Sequence, residues 1–598
     1  MDGEGQKTFI LHSPTTDLDE FRNIARAAAP LAARGRVLVN ISEVADKAWH
    51  IIPDGGSPWH EYTSYNASLS NFFPHPLIAE HLPAPWVADN RKLLGAKAAL
   101  LDELGLGAAF WGYVPNMLDE SFFRAHPHLR GPRVDHPRRS CREAFALCVD
   151  LDQTRDMLCW MMAQLKRAVP HLGAFIFKTN DAGAGLCWAG ALYTGPNGPA
   201  HCRDRDPGRR VADLLETLHR GAEQGGGDVD IHIVSSNFWL NENHLVTAHL
   251  PPRTYYDQGP PAAITAGSML TEVYPIRGMV NPWRLINSMQ RYHDPAVHSV
   301  FLDCRASYDR ACERAATVDK VVQIVADCIA RPVGGFYPAH ERLRELAGRW
   351  AGGENADRVA QALYNMDRAF CLQQQIAPRF KTLYCGVSMR HITRPLVIRP
   401  DLLSPDEEGY FLPHVFNIHA GEARMDYIDL HGARLEADPA VRDRLQPALD
   451  LAIDAAAVLE DVAAAPDGPW LNELARGMRL WASITRSIAN FFTAQLIRDR
   501  NRHLLAVGPR IPSKAITATG HPDIIAWNLV MRDELDNAAQ LLELLESDGP
   551  DVLCRAADGR YEDTFLLGQD VADQLRKKID IMRAHWRDVE AYLATPLK

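Results

Sequence analysis

The chain has 598 residues, of which 46% are hydrophobic and 23% are charged, and its formal net charge is −11. These are globular values, the length exceeds that of one ordinary domain, and the acidic balance gives no support for a nucleic-acid-binding protein. The sequence has no apolar run long enough to span a bilayer and no secretory signal pattern, and its eleven cysteines lack paired spacing. We therefore expect a cytoplasmic protein with free thiols and with neither membrane nor nucleic-acid partners.

The first part of the chain alternates strand-like and helix-like segments. Strand-like runs occur at 9–12, 36–41, 107–113, 173–179, 228–234, 269–274 and 298–303, and helical spacing occurs at 18–33, 87–104, 150–168, 209–224 and 311–330. Such repeated units predict a parallel sheet with right-handed crossovers. Because no glycine fingerprint of a dinucleotide or phosphate site follows a strand, the pattern favours a (β/α)8 barrel of the TIM type.

Beyond Pro332 the pattern becomes helical. Amphipathic segments cover 340–350, 357–375, 438–465, 468–500, 524–545 and 563–594, and residues 396–410 form a connection punctuated by prolines. The predicted fold class is therefore α/β: residues 1–335 form a catalytic barrel, and residues 336–598 form a mostly α-helical C-terminal domain.

Four carboxylates follow or end apolar runs in the first part of the chain. They are Asp181, Glu272, Asp303 and Glu43. Each alone is commonly a turn cap or an ion-pair partner, but barrels carry their chemistry at the carboxyl ends of the strands. Hydrolysis of a sugar bond requires two carboxyl groups on either side of that bond. These four residues are therefore the candidate catalytic groups.

Aromatic and polar side chains accompany these carboxylates. Sugar rings stack on aromatic planes, and their hydroxyl groups need polar partners. The predicted substrate-binding residues are Asn180, Trp111, Tyr113, Trp188, His201, Arg203, Trp239 and Trp59. Trp59 belongs to an insertion at 45–86 that is rich in aromatic residues, and we predict that this insertion forms a lid or wall of the site.

A metal site and a thiol nucleophile are alternatives at residues 201–204. His201, Cys202 and Asp204 are possible zinc ligands by type, but their spacing matches no zinc motif. No His and Asn or Asp partner for Cys202 as a nucleophile can be assigned from the sequence. We therefore predict no metal ion and no other cofactor.

Two passages carry a resemblance to a known family. The run 148–181, a helix followed by Gly-Ala-Phe-Ile-Phe-Lys-Thr-Asn-Asp, resembles the fourth βα unit of microbial xylan α-glucuronidases and related barrel glycosidases. Residues 392–397 and 403–410 are similar to the passage where that barrel gives way to a helical domain. In that group a glutamate acid follows the Lys-x-Asn segment, whereas here an ungapped overlay places Ala182 there and Asp181 one step earlier. The run 179–188 also resembles uncharacterised bacterial glycosidase-like proteins.

The resemblance implies a glycoside hydrolase that acts on an oligosaccharide or glycoside, with a uronic acid among the candidate sugars. Asp181 would be the acid, and Glu272 or Asp303 its partner. Two alternatives stay open: a metal-dependent sugar isomerase or lyase on the same fold, and a non-catalytic carbohydrate-binding protein. The expected partner is a carbohydrate, and a homodimer is an open alternative.

Overall fold

A computed structural model describes residues 7–46, 66–134, 143–181, 183–187, 202, 205–233, 237–238, 240–256, 263–267, 276–304, 315–376, 391–416, 439–501, 521–547, 551–555 and 567–594. The chain divides into two compact units, Met1–Ser268 with Arg284–Ala339 and Met269–Trp283 with His340–Lys598. The domain assignment made from the sequence, with its boundary at 335, stays a prediction. Within the described ranges, none of the helices combines the length and apolarity needed to cross a membrane.

The first unit is built on one parallel sheet. Its strands are β1 Thr8–His12, β2 Arg36–Asn40, β3 Gly107–Tyr113, β4 Leu172–Lys178, β5 Asp230–Ile233, β6 Thr254–Tyr256, β7 Ala263–Gly267 and β8 Ser299–Asp303. They lie in the order β7-β8-β1-β2-β3-β4-β5-β6, and every neighbouring pair is parallel. The α/β class is confirmed. This is the strand order of an eight-stranded barrel, but the described residues show no pairing between β6 and β7, so closure stays a prediction.

Helices lie between most successive strands, and one follows β8, as parallel pairing requires. They are α1 Leu18–Ala28, α2 Ala84–Glu103, α3 Asp152–Ala168, α4 Pro207–Gln224, α5 Leu240–Thr247, α6 Pro282–Met289 and α7 Ala315–Ala330, with short helical turns at Ala29–Ala33, Leu69–Phe72, Pro76–Ala79, Glu120–Ala125 and Pro127–Leu129. The side chain of Asp17 caps α1 through the backbone N–H of Glu20, at 2.8 Å. Asp206 caps α4 in the same way through Arg209, at 2.9 Å.

Three short strands were not predicted from the sequence. Met117–Leu118, Arg130–Arg133 and Phe145–Leu147 form an antiparallel sheet in the excursion after β3. Strands β6 and β7 were missed as well, because a run of three to five residues is too short to show a period. The apolar run near 269–274 that the sequence offered as a strand lies outside the described residues.

One face of the sheet carries an apolar cluster. It consists of Ile10, Leu38, Ala109, Trp111, Ala174, Ile176 and Phe301. Side chains alternate between the two faces of a strand, so a residue two positions further along points to the same face. On the strands that carry this cluster, those residues include His12, Asn40, Tyr113, Lys178 and Asp303. The carboxyl ends of five strands therefore place polar groups above the cluster.

Beyond residue 335 the described residues are mostly helical. The helices are α8 Phe336–Ala351, α9 Ala356–Ile376, α10 Pro405–Phe416, α11 Gln446–Asp461, α12 Gly468–Asn501, α13 Pro522–Glu546, α14 Val571–Ala584 and α15 Asp588–Ala594, with short turns at Gly353–Asn355, Pro400–Leu402 and Val441–Leu445. Helix α11 packs against α9 and α12, and α12 packs against α13. The buried rings of Phe370 and Trp481 meet edge to face, with centroids 4.8 Å apart.

Helix α10 lies partly in the segment that the sequence predicted to be a connection. Ser404 and Glu407 form a reciprocal cap at its start: the backbone N–H of Ser404 donates to Oε2 of Glu407 at 2.9 Å, and the N–H of Glu407 donates to the hydroxyl of Ser404 at 3.4 Å. Pro405 occupies the first turn, where a missing N–H costs nothing. Pro405 therefore begins a helix in a segment where the sequence predicted only an irregular connection.

Candidate active site

The carboxyl edge of the sheet, meaning the C-terminal ends of its strands and the residues directly after them, gathers the described candidates. His12 and Asp303 are register partners on β1 and β8, and both are buried. Tyr113 and Lys178 are register partners on β3 and β4. Register partners in a parallel pair point to the same face, so these four side chains stand on the face that carries the apolar cluster.

Trp111 provides an aromatic floor at this edge. Its ring lies 4.5 Å from the ring of His12 and 5.6 Å from that of Phe301, centroid to centroid. Its backbone N–H is held by the side-chain oxygen of Asn40 at 2.9 Å and by the hydroxyl of Ser42 at 3.2 Å. These two hydrogen bonds therefore fix the backbone of Trp111 relative to the end of β2. Such a surface suits the apolar face of a sugar ring.

Asp181 follows the end of β4. Its side chain is 49% exposed, and its Oδ2 lies 3.2 Å from the ammonium nitrogen of Lys178, whose side chain is only 6% exposed. A buried lysine thus anchors one side of the carboxylate while solvent reaches the other. This arrangement leaves Asp181 able to meet a ligand at the carboxyl edge.

Two asparagines hold the backbone at this point. Asn180 adopts a left-handed conformation with φ 51°, which asparagine tolerates better than most residues. Its amide donates to the carbonyl of Asn237 at 2.8 Å and accepts from the N–H of Leu186 at 2.9 Å. Asn237 in turn accepts from the N–H of Thr179 at 3.1 Å and donates to the carbonyl of Phe177 at 2.8 Å.

The asparagine pair ties the end of β4 to the segment after β5 and sets the direction in which Asp181 leaves the strand. Asn237 was not among the candidates predicted from the sequence, although it follows the strand-like run 228–234 in the chain. Asn180 uses both ends of its amide within the protein. Its predicted role in substrate binding stays a prediction.

A tight turn follows Asp181 and is held by the excursion after β3. The backbone groups of Asp181 and Ala184 exchange two hydrogen bonds of 3.0 Å. Gly183, with φ 89°, supplies the positive φ that this turn requires. It donates to the carbonyl of Val134 at 2.7 Å and accepts from Met117 at 2.8 Å. The loop that carries Asp181 is therefore fixed by backbone bonds on two sides.

Glu43 has partners of a different kind. It forms an ion pair with Lys97, whose side chain is fully buried, and it accepts a hydrogen bond of 2.7 Å from the amide of Asn40. Glu43 itself is 12% exposed. The pair balances a buried cation next to the carboxyl edge. The catalytic role that the sequence suggested for Glu43 stays a prediction.

Asp303 ends β8 and is 3% exposed. Burial, with a smaller contribution from the charge of Asp303, raises the pKa of the neighbouring Cys304 thiol far above its usual range. Burial also raises the pKa of Cys202, ahead of its interaction with Cys187. Neither thiol is therefore prepared to act as a nucleophile, since the thiolate is the reactive form.

Six predicted residues lie outside the described residues: Glu272, Trp188, His201, Arg203, Trp239 and Trp59. The described part of the aromatic insertion contains the turns Leu69–Phe72 and Pro76–Ala79, and its Trp86 indole donates to the carbonyl of Asp46 at 2.9 Å. The contact of this insertion with a ligand stays a prediction. Conversely, His12 and Lys178 stand at the carboxyl edge but were not selected from the sequence.

Comparison by sequence finds no matching family model and no matching curated protein. Among solved structures, the chain is similar to a GH138 enzyme targeting pectin rhamnogalacturonan II. The TM-score is 0.52 at 9% identity, over 98% of this chain and 83% of that one. The chain shares the fold of this enzyme. This structural similarity does not specifically support the resemblance to xylan α-glucuronidases that the sequence suggested.

Two weaker likenesses accompany it. A module of the pneumococcal virulence factor StrH has a TM-score of 0.32 at 11% identity, over 61% of this chain and 91% of that one. The GH36 α-galactosidase AgaB from Geobacillus stearothermophilus has a TM-score of 0.30 at 12% identity, over 55% and 42%. At these scores neither bears on the fold or the function of this chain.

Proposed function

We propose that the protein is a glycoside hydrolase that cleaves an oligosaccharide or glycoside containing a uronic acid, with Asp181 as the general acid. The observation that carries the proposal is the position of Asp181: a half-exposed carboxylate, at the carboxyl edge, on a loop fixed by hydrogen bonds. Enzymes built on such sheets place their catalytic groups at this edge. A general acid must be held where a glycosidic oxygen can reach it.

The partner carboxylate is proposed to be Asp303 or Glu272. Asp303 ends β8, which is separated from β4 by β1, β2 and β3 in the sheet. If β6 and β7 pair and close an eight-stranded barrel, β4 and β8 stand on opposite sides, and the two carboxylates face each other across its mouth. Two carboxyl groups on either side of one bond are what glycoside hydrolysis requires. Glu43 is the weaker choice because it already pairs with Lys97.

Lys178 supports an acidic sugar, and the aromatic floor supports a sugar ring of any charge. The ammonium of Lys178 lies at the carboxyl edge, 3.2 Å from Asp181, and a cation there attracts a substrate carboxylate. The aromatic floor of Trp111, with Tyr113 beside it, suits the apolar face of the ring. Trp188, Trp239, His201, Arg203 and Trp59 are proposed to complete the binding surface, and the aromatic insertion is proposed to form its wall.

The first experiment compares Asp181→Asn with the parental chain. The substrate panel contains pectic oligosaccharides, the polymer type that the GH138 enzyme targets, and aryl glycosides of uronic and neutral sugars. Removing the acid should cost about two to four orders of magnitude in kcat on the natural-type substrate, because its leaving group departs only with a proton. The loss on the activated aryl glycoside should be smaller, and KM should change little because Asn keeps the shape of Asp.

Asp228→Asn is the matched control. Asp228 is 51% exposed and pairs with Arg253 at 2.6 Å, so it resembles Asp181 in exposure and pairing, but it lies before β5 at the other edge of the sheet. Its substitution should leave turnover unchanged. A folded Asp181→Asn protein with parental rates on both substrates would transfer the acid role to Glu272 or Glu43. Equal, large losses on both substrates would instead give Asp181 a nucleophilic or basic role.

The same panel separates the alternative functions. A product with a new carbon–carbon double bond would identify a lyase, and a ketose or aldose isomer of unchanged mass would identify an isomerase. Saturable binding of a pectic oligosaccharide without any turnover would identify a carbohydrate-binding protein. Hydrolysis, with release of a reducing end, is the outcome that the proposed carboxylate pair requires.

A further inference from the structure

Three cysteines from distant parts of the chain meet beside one carboxylate in the first unit. Cys148 follows the short strand Phe145–Leu147, Cys187 lies in the loop after β4, and Cys202 precedes α4. The carboxylate belongs to Asp150, just before α3. We call these four residues the thiol cluster. Cys148, Asp150 and Cys202 are buried, and Cys187 is partly buried.

The distances within the thiol cluster are those of a metal site. The sulfur atoms of Cys187 and Cys202 are 3.7 Å apart. Zinc–sulfur bonds of about 2.3 Å at tetrahedral angles place two sulfur atoms about 3.8 Å apart. The sulfur atoms of Cys148 and Cys202 and one oxygen of Asp150 all lie within 4.8 Å of one another. Cys187 and Asp150 also share one nitrogen of Arg210 as a hydrogen-bond donor, so they are close neighbours.

Two arginines contact the thiol cluster. Arg210, which is 3% exposed, donates to the sulfur of Cys187 at 2.7 Å and from its Nε to both oxygens of Asp150 at 2.9 Å. Arg205 donates to Asp150 at 2.8 Å and to Asp213 at 2.6 Å. Arg210 thus contacts both a sulfur ligand and the carboxylate, and Arg205 contacts the carboxylate alone. Such outer contacts fix the ligands of zinc sites and offset their negative charge.

We propose that Cys148, Cys187, Cys202 and Asp150 bind one zinc ion. Thiolate ligands together with one carboxylate select zinc among the common divalent ions, and four protein ligands make a closed, structural site. The ion ties together the segment before α3, the segment before α4 and the loop after β4. Leu186, which precedes Cys187, donates its N–H to Asn180 at 2.9 Å. The zinc therefore anchors the described part of the loop that carries Asp181, six residues after that carboxylate.

The test measures metal content in the full chain, prepared with zinc and a reducing agent and then dialysed against a weak chelator. We expect about one zinc per chain, and less than about a tenth of that in Cys148→Ser, Cys187→Ser and Cys202→Ser. Cys371→Ser is the control, because Cys371 is an exposed thiol on α9. It should keep the parental zinc content.

A second measurement does not depend on the folding of a variant. One equivalent of cobalt(II) added to the metal-depleted parental chain should give the absorption of thiolate-to-cobalt charge transfer, and zinc should abolish it. A parental chain that retains no zinc and gives no such band would overturn the proposal. So would full zinc retention in all three cysteine variants. A chain two hydrogens lighter, with Cys187 joined to Cys202 and no metal, would show a disulfide pair instead and would also overturn it.

Discussion

The two edges of the parallel sheet use charge in opposite ways. At the amino edge, which carries the first residues of the strands, Asp230 is almost fully buried and meets Arg36, Arg253 and His298. Burial alone raises the pKa of Asp230, but the nearby His298 and the two arginines outweigh it and hold the pKa far below its usual range. The ring of Tyr255 stacks on His298, with centroids 3.8 Å apart.

At the carboxyl edge, the carboxylate of Asp181 is half exposed and has Lys178 as its ion-pair partner. Its loop is held by amide and backbone hydrogen bonds, through Asn180, Asn237 and Gly183, rather than by ion pairs. The charges of the amino edge are therefore committed to stability, while a charge of the carboxyl edge stays accessible to a ligand. This division agrees with the general placement of stability and chemistry on such sheets.

The first prediction concerns Glu43, an exception to this division because it forms a buried ion pair at the carboxyl edge. Glu43→Gln should leave the fully buried Lys97 without its carboxylate and should lower the free energy of unfolding by about 3 kcal/mol. The measurement is urea unfolding. Turnover of the folded fraction should be near parental if Glu43 only balances Lys97.

The double variant Glu43→Gln with Lys97→Met decides between the two roles of Glu43. Removing both charges should recover most of the lost stability, because no unpaired buried charge remains. Turnover that stays lost in a double variant of restored stability would assign Glu43 to catalysis. A double variant that is as unstable as Glu43→Gln would instead contradict the ion-pair account.

Some of this division could be predicted from the sequence. An apolar run that ends in Lys178, Thr179, Asn180 and Asp181 placed a carboxylate at a strand end, and the structure has β4 ending there. Hydrophobic periodicity indicates on which face of a helix or strand a side chain lies, but it does not indicate which distant residue that side chain contacts. The asparagine pair spans 57 positions and the pair of Lys97 with Glu43 spans 54, so neither could be predicted.

The thiol cluster could not be predicted from the sequence for the same reason. Its cysteines are separated by long stretches of chain, and zinc motifs are recognised by short spacings. His201 and Asp204 were weighed as ligands because they flank Cys202 in the chain, whereas the structure brings Cys148, Asp150 and Cys187 to it. Tertiary contact, rather than local spacing, gathers these ligand types.

The second prediction tests the amino edge. Asp230→Ala should lower the free energy of unfolding by about 2–3 kcal/mol, because Arg36 and Arg253 lose a buried partner but remain partly open to water. Asp228→Ala is the control and should change it by less than about 1 kcal/mol, since Asp228 is 51% exposed. Turnover should be parental in both folded variants. Equal stability losses in the two variants would remove the distinction between a buried and an exposed pair.

The third prediction concerns pH, and its effect per pH unit is smaller than the two stability losses above. His232 on β5 is buried, with Nδ1 3.3 Å from the hydroxyl of Ser299. Burial lowers the pKa of His232 to about 3, and the charges of His298 and Arg36 act in the same direction, while Asp230 opposes them. In the unfolded chain a histidine has a pKa of about 6.5.

These two pKa values determine whether stability rises or falls with pH. Above pH 6.5 His232 is neutral in both states and contributes no pH dependence, whereas between about 6.5 and 3 only the unfolded chain binds the proton. Stability should therefore fall as the pH falls, by up to about 1.4 kcal/mol per pH unit from this residue. His171 and His219, whose pKa values burial also lowers, add to the slope of the parental chain.

His232→Gln should reduce that slope by about one proton in urea unfolding at several pH values, and His128→Gln, at an exposed position, should not. An unchanged slope in His232→Gln would show that the amino edge does not hold this histidine in its neutral form.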